Sequence, residues 1–227
     1  MKFIITNDDG YSEPGLAALL KAVRPFGTTA IVAPEKEQSI VGHKVTMKAP
    51  IRVKQMDRNK WRVNGTPADC TRLALKQFVP DADWLIAGIN PGANLGTDVY
   101  QSGTVAAARE AAILGVKAIA VSQYIAPDWI IDWRAAAHHA SIILPMILKE
   151  ELSFGQFWNI NLPGPITISS TLEHVRCPLD KHPHIYRYSE NGDAYQYEGT
   201  IHNRPRSMGS DVDVCFTGKI AITRMEV

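Results

Sequence analysis

The chain has 227 residues, 45% of them hydrophobic and 21% charged, the make-up of an ordinary globular protein with one sizeable core. Its 24 basic and 23 acidic residues leave a formal net charge of +1, which provides no basic field for a nucleic-acid polymer and no acidic tail. Cys70, Cys177 and Cys215 are odd in number, widely spaced and free of any CxxC pair, which fits reduced thiols in a cytosol better than a disulfide framework.

The apolar run at the N-terminus is only three residues long, so neither a signal peptide nor a membrane anchor is expected. No stretch approaches the roughly 18 apolar residues of a spanning helix. Phe3 to Thr6 reads as a short buried strand that ends in Asn7-Asp8-Asp9-Gly10. Two adjacent carboxylates repel each other in a partly desolvated site, and a hard divalent cation removes that repulsion. Gly10 lets the chain turn sharply, although Asn, Asp and Gly would equally serve a solvated turn. Gly15 to Val23 is helical, with Leu16, Leu19, Leu20 and Val23 on one face. Thr28 to Ala33 is a second strand, stopped by Pro34. The loop after it reaches Ser39, whose hydroxyl could serve a metal or a phosphate, with solvation as the plain alternative.

Residues 44 to 63 break the alternation, and Val45–Met47, Ile51–Val53 and Trp61–Val63 suggest an antiparallel excursion. Gly65 to Cys70 is a helix start, with Thr66 at the N-cap, Pro67 in the first position and Asp69 at the positive end of the dipole. Cys70 has no partner base and reads as a buried thiol. Trp84 to Ala87 is a strand. The following loop, Gly88 to Gly96, is rich in Gly and Asn, so it offers close backbone approach and neutral oxygen ligands. It matches neither the GxGxxG nor the Walker A spacing. Ser102-Gly103-Thr104 opens an Ala-rich helix running to Leu114. A helix start of this kind binds anions, and it is also an ordinary cap.

Ala118 to Ser122 is a further strand. Ile131 to Leu148 is a long helix open to interruption at Pro145, and Phe157 to Leu162 is a strand. The Pro-, His- and Tyr-rich segment to residue 206 predicts hairpins and long loops. Val212–Phe216 and Ile220–Thr223 read as two closing strands around Gly218. The seven histidines show no zinc spacing, and no Gly-x-Ser-x-Gly elbow is present. The alternation of strand and helix predicts an α/β fold: a doubly wound, mostly parallel Rossmann-like sheet with antiparallel hairpin excursions in the second half. Residues 1–150 would form the core carrying the site. Residues 151–227 would add closing strands and a hairpin-rich segment for oligomerisation or the substrate edge.

Taken in order, several segments resemble the survival-protein (SurE) family of 5′/3′-nucleotidases. They are Asn7–Gly10 with Pro14-Gly15, Val32-Ala33-Pro34 reaching Ser39, Gly65–Cys70, Gly88–Gly96 and Ser102–Val105. Asn159–Pro163 and Gly209–Asp213 are similar to later markers of that family. The sequence departs from the family at Ile40, at Ala111 after Glu110, and across 176 to 206. The resemblance implies one divalent cation per subunit, manganese or magnesium, held by Asp8, Asp9, Ser39 and Asn90. It implies water attack on a nucleoside monophosphate, with Asp8 or Asp9 as catalytic proton acceptor and Asn94, Ser102, Gly103 and Thr104 around the phosphate. It further implies a cytoplasmic homodimer or homotetramer and activity on 3′-nucleotides or short polyphosphate. Two other readings compete on the residues. A covalent aspartyl phosphatase is disfavoured because its Asp-x-Asp spacing is absent. An inactive nucleotide-binding module of the same fold is disfavoured by the complete ligand set.

Overall fold

The computed structural model describes residues 1–199 and 201–227. In chain order the strands are β1 (Lys2–Thr6), β2 (Thr28–Pro34), β3 (Arg52–Asp57), β4 (Lys60–Asn64), β5 (Trp84–Pro91), β6 (Lys117–Gln123), β7 (Gln156–Leu162), β8 (His174–Arg176), β9 (Tyr188–Asn191), β10 (Ala194–Tyr197) and β11 (Ile220–Glu226). Nine of them form one sheet in the order β3-β4-β2-β1-β5-β6-β7-β11-β8, and β9 with β10 forms a separate hairpin. From β4 to β7 every pairing is parallel. β3 against β4 and β11 against β7 are antiparallel. This is the expected doubly wound sheet, and it continues without a break past residue 150.

Parallel strands covered on both faces must be apolar throughout. Phe3, Ile4 and Ile5 of β1 are accordingly all buried. Helices α1 (Pro14–Val23) and α4 (Trp133–Ile147) pack on one face, around Leu19, Ile86 and Leu144. Helices α2 (Pro67–Leu73) and α3 (Gly103–Ile113) pack on the other, where Ala107, Ala108 and Ala111 let α3 lie close to the sheet. Pro145 stands inside α4 without interrupting it, although its ring removes the donor that would bond the Ser141 carbonyl.

Two expectations give way. Val45–Met47 is not a strand, because side chains satisfy its backbone instead. The Thr46 N–H and hydroxyl donate to the Asp69 carboxylate at 2.9 and 2.7 Å, and the Thr66 hydroxyl donates to the Lys44 carbonyl at 2.6 Å. Thr66 and Asp69 also close the capping box that starts α2. Val212–Phe216 is not a strand but the greater part of a short helix, α5 (Asp211–Phe216). Ser210 caps it by accepting from the Asp213 N–H, and Gly218 ends it at φ +86°. The apolar residues of 212–216 hide a cap and a first-turn acid that carry the stronger signal.

Asp180 and Asp211 tie α5 to the sheet's carboxyl edge. Asp211 accepts from the Gly96 and Asp180 amides at 2.8 Å each. Asp180 accepts from the Ser210 hydroxyl at 2.6 Å and from the Ser207 and His182 amides at 2.7 and 2.8 Å. Burial raises the Asp180 pKa, but these hydrogen bonds outweigh it and bring the value down to about 2. A depressed carboxylate stabilises the fold above its unfolded pKa and loses that stability as pH falls through its folded pKa. Urea titrations are therefore expected to show about 2 kcal/mol lost between roughly pH 4 and pH 2. That share of the acid loss should be absent from Asp180→Asn, which starts less stable.

Candidate active site

The strand order reverses at β1, with β2 on one side and β5 on the other. In open α/β sheets ligands bind outside the carboxyl ends of the strands at such a switch point. A cavity of about 610 Å³ lies there, lined by Asp8, Asp9, Ser39, Asn90, Asn94 and Ser102 among others. Asp8 and Asp9 follow β1, Ser39 lies on the loop after β2, and Asn90 is at the carboxyl end of β5.

The expected Gly88–Gly96 loop is therefore strand as far as Pro91. β5 advances from Ala87 to Asn90 while β6 advances only from Ala120 to Ser122. The extra residue makes a bulge, which re-aims the side chains beyond it. Gly88 has φ +131°, and a Cβ there would overlap the Val121 carbonyl. A Cβ at Gly15 would overlap the Ile89 carbonyl from the other side. The Pro14-Gly15 pair thus lets the first turn of α1 close over the strand end that carries Asn90.

Asp8 is buried, and its Oδ1 accepts from the Thr104 hydroxyl. Burial raises its pKa, opposed by Thr104 and by the amides of Thr104 and Gly103 at the start of α3. A Cβ on Gly103 would lie 2.8 Å from the Asp8 Cβ, so glycine is what lets α3 approach. Asp9 is half-buried and its pKa is raised to about 7, first by desolvation, then by Asp8, with Glu13 and Glu37 adding to it. Its Oδ2 is buried and has no hydrogen-bond partner. Ser39 donates to Glu37 at 2.6 Å, leaving its oxygen lone pairs available. Asn90 donates through Nδ2 to the Gly92 carbonyl at 2.6 Å, which leaves its side-chain oxygen for a ligand.

Two carboxylates, a hydroxyl and an amide oxygen make a hard-oxygen donor set suited to magnesium or manganese. The unpartnered Asp9 oxygen and the mutual repulsion of Asp8 and Asp9 are what a divalent cation would relieve. The donor set fits the implied metal. No group of three or more His, Cys, Asp or Glu converges among the described residues. Neutral oxygens would have to complete such a site.

The residues expected around a phosphate divide. Ser102 lines the cavity and caps α3 by accepting from the Val105 N–H at 3.0 Å, so its own hydroxyl hydrogen is free. Asn94 also lines the cavity. Its N–H donates to Asn161 Oδ1 at 2.8 Å, its Nδ2 donates to the Ser122 hydroxyl at 2.7 Å, and its carbonyl accepts from Asn159 and Asn161. That network explains the Asn159-Ile160-Asn161 motif. Thr104 and Gly103 do not line the cavity and press instead on Asp8. Thr104→Val should therefore lower kcat about 10- to 100-fold and weaken metal affinity by a similar factor, as loss of a partner that orients a ligand does. Paired kinetic and metal titrations would check this.

Sequence reasoning missed the far end of the cavity, where Asp98, His184, Tyr186, Tyr188 and Tyr197 stand. The alternation of Tyr186 and Tyr188 in the Tyr-rich segment was the available signal. Cys70, Cys177 and Cys215 are all free and buried. Burial raises Cys70 well above the ordinary thiol range.

The fold and cavity define a doubly wound α/β protein with an acidic, hydroxyl-lined cleft at its switch point. The family model described as Survival protein SurE matches residues 3–182, and the chain belongs to that family. A Synechocystis chain is 45% identical over 227 residues, covering all of both chains. The protein named 5′-nucleotidase SurE from Paramagnetospirillum magneticum is 36% identical, covering 98% of this chain and 88% of that one. The crystal structure of the SurE protein from Aquifex aeolicus superposes with a TM-score of 0.89 at 28% identity, over 100% of this chain and 93% of that one.

Proposed function

We propose that this chain is a 5′-nucleotidase that hydrolyses nucleoside 5′-monophosphates with the help of one divalent cation. The observation that carries this reading is the convergence of Asp8, Asp9, Ser39 and Asn90 on one cavity with Asn94 and Ser102. Relatives named 5′-nucleotidase SurE support the activity. Asp8, Asp9, Ser39 and Asn90 would hold the cation, which supplies Lewis-acid polarisation of the phosphoryl oxygen and a lowered pKa for the attacking water.

The chain's own residues do the rest. The free Ser102 hydroxyl and the second amide hydrogen of Asn94 bind phosphoryl oxygens, aided by the positive end of α3. Asp9 takes the proton of the attacking water through the carboxylate oxygen not committed to the cation. The water oxygen bonds to phosphorus, the ester P–O bond breaks in line, and the leaving nucleoside oxygen takes up the proton that Asp9 accepted. Inorganic phosphate remains. The same site would admit 3′-monophosphates and short polyphosphate as secondary substrates.

Three free buried cysteines support a reducing, cytoplasmic setting. Among the described residues no helix is long and apolar enough to cross a membrane. Exposed Phe154 and Met208 support a homodimer or homotetramer built through residues 151–227. Calorimetric titration of manganese into chelator-stripped protein tests the ligand set. One site per subunit, weakened in Asn90→Ala and Ser39→Ala, is expected. Absence of binding in the wild type would overturn the assignment. A panel of 5′- and 3′-monophosphates and short polyphosphate ranks the substrates.

A further inference from the structure

The cavity has two chemically distinct ends. Asp8, Asp9, Ser39, Asn90 and Ser102 make one of them polar, and the other is walled by Tyr186, Tyr188 and Tyr197. Its volume of about 610 Å³ falls within the range for small-molecule sites. Tyr188 and Tyr197 are cross-strand partners in the β9–β10 hairpin, with ring centroids 5.6 Å apart, and the Tyr186 ring lies 6.2 Å from that of Tyr197. The three rings thus form one tilted cluster, although each remains substantially exposed.

Hydrogen bonds tie the segment beside this wall to the residues that precede α3. Asp98, on the loop between β5 and α3, pairs with His184 and with the fully buried Arg204, the latter at 2.6 Å. Arg204 also donates to the Leu95 carbonyl and the Thr97 hydroxyl, each at 3.2 Å. His184 stands 6.2 Å from the Tyr186 ring. Its Nδ1 is buried and has no partner, an unsatisfied polar atom in a residue that lines the cavity. Gly199 completes the arrangement, because a Cβ there would overlap the Tyr197 phenol.

We propose that Tyr186, Tyr188 and Tyr197 form a stacking platform for the nucleobase, which holds the base by its face. This rests on the nucleotidase reading above and deepens it. Asp98, which also lines the cavity, is already committed to His184 and Arg204. Stacking on aromatic faces accepts every base, because each has a π surface. The substrates are therefore purine and pyrimidine nucleotides alike, favoured over phosphomonoesters that carry no base.

The test compares kcat/KM for nucleoside 5′-monophosphates with kcat/KM for ribose 5-phosphate, in the metal-restored protein. Tyr188→Ala and Tyr197→Ala should lower that ratio about 5- to 100-fold, chiefly through KM for the nucleotide. Tyr188→Phe and Tyr197→Phe should restore it to within about twofold of wild type, since the π face is kept. Gly199→Ala, which displaces the Tyr197 ring without removing it, should also lower the ratio. An unchanged ratio in both alanine variants and in Gly199→Ala, with turnover intact, overturns the platform and leaves the nucleotidase reading standing. If the same variants instead change the assembly state on size exclusion with the ratio unchanged, the hairpin is an interface and the platform is likewise overturned. Wild-type protein that hydrolyses neither substrate class removes the nucleotidase reading itself.

Discussion

Asp8→Asn is expected to lower kcat/KM for nucleoside monophosphates by about 10³-fold or more, roughly 4 kcal/mol of transition-state stabilisation, without loss of fold. The two side chains have nearly the same shape. Asp8 is buried, and its Oδ1 accepts from Thr104, a bond the Asn oxygen can still accept. What changes is charge. One of the two carboxylates in the donor set becomes neutral, so a cation is held less tightly and its charge is less well matched. In metal-free protein the same substitution removes a desolvated charge that faces Asp9, so thermal stability should hold or rise. A variant that is inactive because it is unfolded would contradict this account, and a melting curve beside the kinetics separates the two.

Gly88→Ala should be severely damaging, because both its conformation and its neighbours oppose a methyl group. Gly88 sits at φ +131°, in a region L side chains rarely adopt, and its Cβ would overlap the Val121 carbonyl of β6. The two strands cannot simply part, because β5 is also pressed by α1 at Gly15 against the Ile89 carbonyl. Strain of this kind in a close-packed core costs about 3–5 kcal/mol. Urea denaturation should show a loss of that order. The fraction that still folds should bind manganese more weakly, because the bulge that aims Asn90 is displaced. Gly92→Ala is a useful comparison, since its nearest outside neighbour would be Asn90 Nδ2 at 3.7 Å and only its φ of +124° opposes the change.

The parallel core is legible in the sequence because buried parallel strands declare themselves as short apolar runs: Phe3–Thr6, Thr28–Ala33, Trp84–Ala87 and Ala118–Ser122 each lie within a strand of the structure. The residues that line the polar end are legible for a related reason. A strand end in a doubly wound sheet is where polar residues cannot be core, so Asn7–Gly10 and the Asn-rich run after Ala87 stand out. Local structure set by distant partners is not legible in this way. Val45–Met47 has strand-like residues, but Asp69 and Thr66 take its backbone groups. The apolar residues of the closing segment suggest a strand, while Ser210 and Asp211 decide it as a helix. The end of β5 resembles a loop because a bulge, with its Gly and Asn, has the composition of one. Thr104 suggests a phosphate ligand from its place at a helix start, and only the packing of α3 on β1 turns its hydroxyl to Asp8. The place of the aromatic wall is not legible, beyond the alternation of Tyr186 and Tyr188, because it depends on a distant segment folding back onto Asp98, a contact 86 residues apart for His184.

The most direct test of the central claim is phosphate release from a nucleoside 5′-monophosphate by protein stripped with a chelator, before and after manganese or magnesium is restored. Negligible turnover is expected in the stripped protein, with recovery on adding back either ion and binding of one ion per subunit. Full turnover in the presence of excess chelator, or nucleotide binding with no turnover under any metal, would contradict it.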